Sequence, residues 1–149
     1  WGQPRFFGFR HIGKIAIKSE ILNKPTGLSD KEWMEIRRHP EIGYRLLSSL
    51  SNYSYISECI LAHHERYDGT GYPKGLSGPD IPIQPRIIAL AEAFDSMTRD
   101  RAYHKAMSDE EALAEIRRNA GTQFDPAQSG GGKPDTHLTF ESGIQIVRM

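Results

Sequence analysis

The run His63-His64-Glu65-Arg66-Tyr67-Asp68-Gly69-Thr70-Gly71-Tyr72-Pro73 decides how the rest of the chain is read. Two adjacent imidazoles meet a carboxylate, and a glycine-rich turn closes on Tyr-Pro. Imidazole is the commonest metal ligand in proteins, and glycine lets a backbone approach a ligand closely. Upstream, Ile56, Ile60 and Leu61 recur at helical spacing. Residues 55–67 therefore read as a helix that delivers His63 and His64 near its C-terminal end. Downstream, residues 69–82 contain four glycines and three prolines and read as a loop. Pro85 then opens a mostly apolar helix with Ile87, Ile88, Leu90, Ala91, Phe94 and Met97, which belongs at the centre of the fold. Asp95 lies inside that helix, where a buried carboxylate needs a partner or a metal.

Further out, Ser29 and Glu32 have the spacing of a capping box, followed by a helix that runs to His39. Pro40 suits the first turn of a new helix, which carries Ile42, Leu46, Leu47 and Leu50. Ser108 and Glu111 make a second capping box before Ala112, Leu113 and Ile116, and Gly121 is placed to cap the C-terminus. No alternating strand pattern occurs in the first 126 residues, so the fold is expected to be all-α. Residues 1–9 show no clear period and read as a cut end that enters a helix at once. Residues 129–134, Ser-Gly-Gly-Gly-Lys-Pro, read as a linker. Beyond them, residues 137–140 and 144–147 flank Glu141-Ser142-Gly143, a weak signal for a short β-hairpin, with a disordered tail as the alternative.

A chain of 149 residues fits one domain. The sequence divides into that domain, 1–128, and a glycine-rich linker and tail, 129–149. Lys plus Arg equals Asp plus Glu, at 19 each. No overall field recruits a nucleic-acid polymer or a membrane, and an anionic ligand must be held by a local site. The single cysteine, Cys59, excludes an internal disulfide, suits a reducing cytoplasm, and lies in an apolar run as core filler. No stretch has the length of a membrane span.

The quoted run resembles the signature of the HD-GYP family, metal-dependent phosphodiesterases of the HD superfamily that cleave the bacterial second messenger cyclic di-GMP. The resemblance covers residues 12–126. It includes Ile12-Gly13-Lys14-Ile15, Ile21-Leu22-Asn23-Lys24-Pro25, Arg38-His39-Pro40-Glu41-Ile42-Gly43, Ala93-Phe94-Asp95-Ser96-Met97-Thr98, Arg101-Ala102-Tyr103 and Gly121-Thr122-Gln123-Phe124-Asp125-Pro126, in the family's order. It implies an HD-domain bundle of about five to six helices. It also implies two or three divalent ions, iron, manganese or similar, held by His39, His63, His64 and Asp95. Mixed imidazole and carboxylate ligands suit such metals. Taken singly, His39 is equally a helix-end residue, and Asp95 needs only some partner.

Lys14 matches the lysine that faces the substrate phosphate, and Lys14 and Asp95 are the expected catalytic residues. Gly71, Tyr72, Pro73 and Arg101 are expected to bind substrate. The competing roles are a solvated charge for Lys14, a plain turn for Gly71-Tyr72-Pro73 and a surface ion pair for Arg101. The resemblance further implies a receiver or sensory domain in the parent protein and partners such as diguanylate cyclase (GGDEF) domains.

Two departures matter. The family reads His-Asp-Ile-Gly-Lys where this chain has Arg10-His11-Ile12-Gly13-Lys14, so the bridging aspartate is gone and His11 is a further candidate ligand. A neutral imidazole offers one lone pair and cannot bridge two cations as a carboxylate does. The family also takes a ligand from a helix that would lie upstream of Trp1, and after Asp125-Pro126 this chain runs into glycines. The expected function is hydrolysis of cyclic di-GMP to pGpG or GMP, weakened by loss of the HD pair. The alternative is a catalytically inactive module that binds the dinucleotide or docks a signalling partner.

Overall fold

The structure, a computed structural model, describes residues 11–100 and 105–130. The chain enters through a 3-10 turn, Ile12–Ala16, followed by six α-helical segments among the described residues. These are α1 (Ser19–Leu22), α2 (Asp30–Ile36), α3 (His39–Ser48), α4 (Ser54–Ala62), α5 (Ile83–Thr98) and α6 (Asp109–Arg118). Short 3-10 turns at Ser51–Tyr53 and Gly78–Asp80 complete the order. No strand forms among the described residues; one isolated bridge joins Ala120 to Phe124. The all-α expectation is met. The expected helix in residues 1–9, the C-terminal hairpin or tail, and the positions of Arg10 and Arg101 lie outside the described residues.

Both capping boxes form. Ser29 Oγ accepts from the Glu32 N–H while Glu32 Oε2 accepts from the Ser29 N–H at 2.7 Å, and Ser108 and Glu111 repeat the exchange at the start of α6. Each box satisfies donors that a helix leaves open in its first turn. Lys24 Nζ adds two short bonds to Glu32, at 2.8 and 2.7 Å, tying the loop after α1 to the head of α2. Pro40 falls in the first turn of α3, as its missing N–H requires. The C-terminus of α6 differs from expectation. Asn119 holds the cap position, its side-chain amide donating to the Glu115 carbonyl at 2.9 Å. Gly121, at φ +82°, takes the left-handed turn two residues later.

Two apolar contacts build the core. Leu90 and Phe94 of α5 meet Ala112 and Ile116 of α6 and the following Phe124. Leu47 of α3 and the run Cys59, Ile60, Leu61 and Ala62 of α4 are buried where α3 and α4 pack together. The entry turn rests on α3 through two glycines. A Cβ on Gly13 would overlap the His39 carbonyl, and one on Gly43 would lie 2.9 Å from Ile60 Cγ2. That close approach brings the start of the chain, the head of α3 and the end of α4 to one place.

Candidate metal centre

That place is where the histidines gather. The helix expected over 55–67 stops at Ala62, and the difference is informative. Within a continuous helix, consecutive side chains diverge by about 100°, which would point His63 and His64 apart. Leaving the helix at His63 lets both rings face the same cavity, with centroids 4.0 Å apart. The loop returns to fix them: the Tyr72 N–H donates to the His64 carbonyl at 3.2 Å, and the Tyr72 ring stacks on His64 at 4.9 Å.

His39 enters from the head of α3 and His11 from just before the entry turn. His39 and His63 are each 1% exposed. His39 Nδ1 lies 2.7 Å from the Ile36 carbonyl and His63 Nδ1 lies 2.6 Å from the Ile60 carbonyl. A carbonyl only accepts, so both Nδ1 atoms carry the proton and both Nε2 atoms carry a bare lone pair. Those two Nε2 atoms face each other at 3.4 Å. Lone pairs aimed at one another repel unless a cation lies between them. An ion bound as zinc binds imidazole, at about 2.0–2.1 Å, has a tetrahedral edge of about 3.3–3.4 Å. The pair has that spacing.

The remaining donors close the set. His11, His39 and His63 form one group with ligand atoms within 4.8 Å of one another, and His63, His64 and Glu92 form a second that shares His63. His11 Nε2 pairs with Glu92 Oε1 at 3.2 Å, while His11 Nδ1 is buried with no hydrogen-bond partner among the described residues. A buried, unsatisfied ring nitrogen beside converging lone pairs suits cation binding. Burial pushes the His39 imidazole below its ordinary pKa, that of His63 down to about 4 and that of His64 down to about 2. These rings therefore stay neutral, the form that ligates. Burial alone would raise the Glu92 carboxyl, but the His11 hydrogen bond and the surrounding imidazoles outweigh it and hold it near 2.

The structure does not bring Asp95 to the histidines. Its Oδ1 pairs with Arg99 Nε, one turn along α5, at 2.7 Å. The carboxylate that α5 presents is Glu92, three residues earlier. The signal for it lay in its neighbours: Ala89, Ala93 and Ser96 share its helix face and line the same cavity. Small side chains around one acid leave room for a ligand. Glu65, the third residue of the quoted run, is not among the donors either. It is buried, and its carboxylate accepts from the N–H groups of Lys74 (2.7 Å) and Leu76 (3.0 Å), latching the loop.

A cavity of about 460 Å³ opens over the centre, walled by His11, Lys14, His63, His64, Glu92 and Gln123, among others. A second, of about 320 Å³, adjoins it and is lined by His39, His64 and Tyr72. Lys14 lines both cavities and Tyr72 the second. Gly71 serves the turn: a Cβ there would overlap the backbone of Glu65 and Arg66. Arg66 spans the loop, donating to Asp68, Thr70 (3.0 Å) and Gln123 (3.2 Å), so the loop is clamped to the segment after α6. Arg86 of α5 holds the buried Asp125 at 2.6 Å and fixes that segment from the other side.

Fold and site together describe an all-helical domain with an imidazole-rich cluster that could hold metal. Residues 9–128 match the family model described as HD domain, and the chain belongs to that family. Among curated proteins it is 45% identical over 117 residues to "Cyclic di-GMP phosphodiesterase response regulator RpfG" of Xanthomonas campestris pv. campestris, covering 77% of this chain and 31% of that protein. It is 42% identical over 118 residues to a "Cyclic di-GMP phosphodiesterase" of Thermotoga maritima, covering 77% of this chain and 32% of that protein. It is 38% identical over 115 residues to "3'3'-cGAMP-specific phosphodiesterase 3" of Vibrio cholerae, covering 77% of this chain and 25% of that protein. The chain thus spans between a quarter and a third of the length of these relatives. The fold is also similar to the crystal structure of a cyclic GMP-AMP specific phosphodiesterase of V. cholerae, with a TM-score of 0.58, 20% identity and coverage of 94% of this chain and 35% of that one.

Proposed function

We propose that this chain is a metal-dependent phosphodiesterase domain that hydrolyses cyclic di-GMP to pGpG or GMP. The observation that carries the proposal is the pair of bare Nε2 atoms of His39 and His63, 3.4 Å apart beside His11, His64 and Glu92. The names of the relatives supply the substrate class. Divalent ions, iron or manganese in the first instance, would be held by His11, His39, His63, His64 and Glu92. Bound there, they would polarise a phosphate and lower the pKa of water. Lys14 holds phosphate charge from the cavity wall, and Arg101 is assigned the same role. Gly71, Tyr72 and Pro73 shape the wall against which the substrate lies. Asp95, expected as a ligand, instead orients the end of α5 through Arg99.

Activity is set low by His11. An aspartate at that position would give two oxygens for bridging, whereas His11 gives one lone pair and pairs with Glu92. The His11–Glu92 pair also favours the second reading, a module that binds the dinucleotide, or docks a partner such as a GGDEF domain, without turning it over. The word "response regulator" in one relative's name supports a receiver domain in the parent protein.

The deciding experiment measures metal content by elemental analysis after anaerobic, reducing purification, with cyclic di-GMP hydrolysis on the same sample. Stoichiometric metal with turnover supports the enzyme. Metal-free, inactive protein that still takes up the dinucleotide in calorimetry supports the second reading. A His11→Asp variant with no more metal than the parent chain would remove the explanation of low activity.

A further inference from the structure

The face of α2 that points away from the core carries an unusual set of side chains. Asp30, Trp33, Met34 and Arg37 follow the i, i+3, i+4, i+7 spacing that an amphipathic helix ordinarily buries. Here all four are exposed, Trp33 by 48% and Met34 by 60%. They line a cavity of about 360 Å³. Trp33 also lines both cavities over the histidines, so its indole is the wall shared between this outer cavity and the metal centre. The Arg37 guanidinium sits 5.3 Å above the Tyr72 ring, whose other contact is the stack on His64. Among the described residues no carboxylate pairs with Arg37 and no cation pairs with Asp30.

We propose that Asp30, Trp33 and Arg37 form a guanine-binding subsite at the rim of the metal cavity. The proposal rests on the reading of the substrate as cyclic di-GMP and adds which residues take its base and where they lie. An indole face offers a stacking platform for any base. Arginine donors match the O6 and N7 acceptors of guanine in a two-bonded geometry. The carboxylate of Asp30 accepts from the N1–H and N2–H₂ donors on the neighbouring edge. Adenine places an amino donor where guanine has O6 and lacks the N2 amino group, so it opposes Arg37 and leaves Asp30 unmatched. Continuity through Trp33 lets the phosphate of the same nucleotide reach Lys14 and the histidines.

The test uses the chain carrying Trp1→Phe, which leaves Trp33 as the single indole, stripped of metal by chelation so that phosphate capture at the centre does not contribute. The probes are GMP, AMP and ribose 5-phosphate, read by indole quenching and by calorimetry. GMP is expected to bind about tenfold more tightly than AMP, with Arg37→Met and Asp30→Asn each lowering GMP affinity about tenfold and erasing the preference. Trp33→Ala is expected to weaken GMP and AMP alike in calorimetry, and Trp33→Phe to restore binding. Equal binding of GMP and AMP, or an Arg37→Met variant with unchanged GMP affinity, overturns the subsite. Hydrolysis of cyclic di-GMP by the metal-loaded chain is measured separately. Its absence beside intact GMP selectivity counts against the proposed function and leaves the subsite standing, so the two failures are distinguishable.

Discussion

His63 belongs to both donor groups, and no other side chain does. Its removal should therefore do more than removal of any neighbour. His63→Ala is expected to bring metal content close to zero, whereas His64→Ala leaves the His11, His39 and His63 group in place and retains part of it. Elemental analysis of the purified variants checks this order. The carboxylates give a sharper contrast. Glu92→Gln, which removes a donor itself, is expected to lower metal affinity by more than the about 10- to 100-fold that follows loss of a group merely supporting a ligand. Asp95→Asn, which breaks only the Arg99 pair, should leave it unchanged. A reversed result would restore Asp95 as ligand. His63 and His64 stood out in the sequence as adjacent imidazoles, whereas His39 was named only through the family resemblance, its place before Pro40 reading by itself as a helix end. Glu92 did not stand out, because Asp95 offers the same chemistry one turn along, and which of the two faces the cavity depends on the rotation of α5. That rotation is set by Leu90 and Phe94 packing on α6, a tertiary fact.

At the scale of elements, capping boxes and proline positions are local chemistry, so the starts of α2, α3 and α6 were legible from a few residues each. The end of α4 was not. The run 55–67 keeps helical periodicity, but the His63 Nδ1–H takes the Ile60 carbonyl that the next helical N–H would use, and the helix stops at Ala62. Helix α2 carries a pH signature. Hydrogen bonds from Lys24 and Ser29 hold the Glu32 carboxyl well below its ordinary 4.5, at about 2. A depressed carboxyl stabilises the fold above its unfolded pKa, and the contribution is lost as pH falls through the folded value. The melting-temperature difference between the parent chain and Glu32→Gln should be full above pH 4.5 and shrink as pH falls toward 2. Thermal scans at several pH values read it, and a constant difference would mean that the Lys24 and Ser29 bonds are not what lowers the group. The entry turn gives a second test. Gly13→Ala forces a methyl against the His39 carbonyl, so the turn must lift from α3 and carry His11 away from His39. Metal content should fall together with melting temperature.

Taken whole, the molecule joins two helix pairs, α3 with α4 and α5 with α6, and the donors come from both. His39 and His63 belong to the first pair, Glu92 to the second and His11 to the entry turn. A bound ion therefore links elements that apolar packing holds in separate contacts. Binding to the folded state alone stabilises it by about 2.7 kcal/mol when free metal is a hundredfold above its dissociation constant. For a domain of this size that is a rise on the order of 10 °C in melting temperature. Chelation should remove that increment, and readdition of metal should restore it. A core variant separates this effect from general fragility. Ile116→Ala, at a site 1% exposed, is expected to cost about 2–5 kcal/mol with or without metal, because its cavity opens between α5 and α6 and touches no donor. His63→Ala should behave in the opposite way, melting at one temperature whether metal is present or chelated. If Ile116→Ala abolished the metal-dependent increment while His63→Ala kept it, the increment would come from packing or from some other site. The histidines would then lose their claim to tie the two helix pairs together.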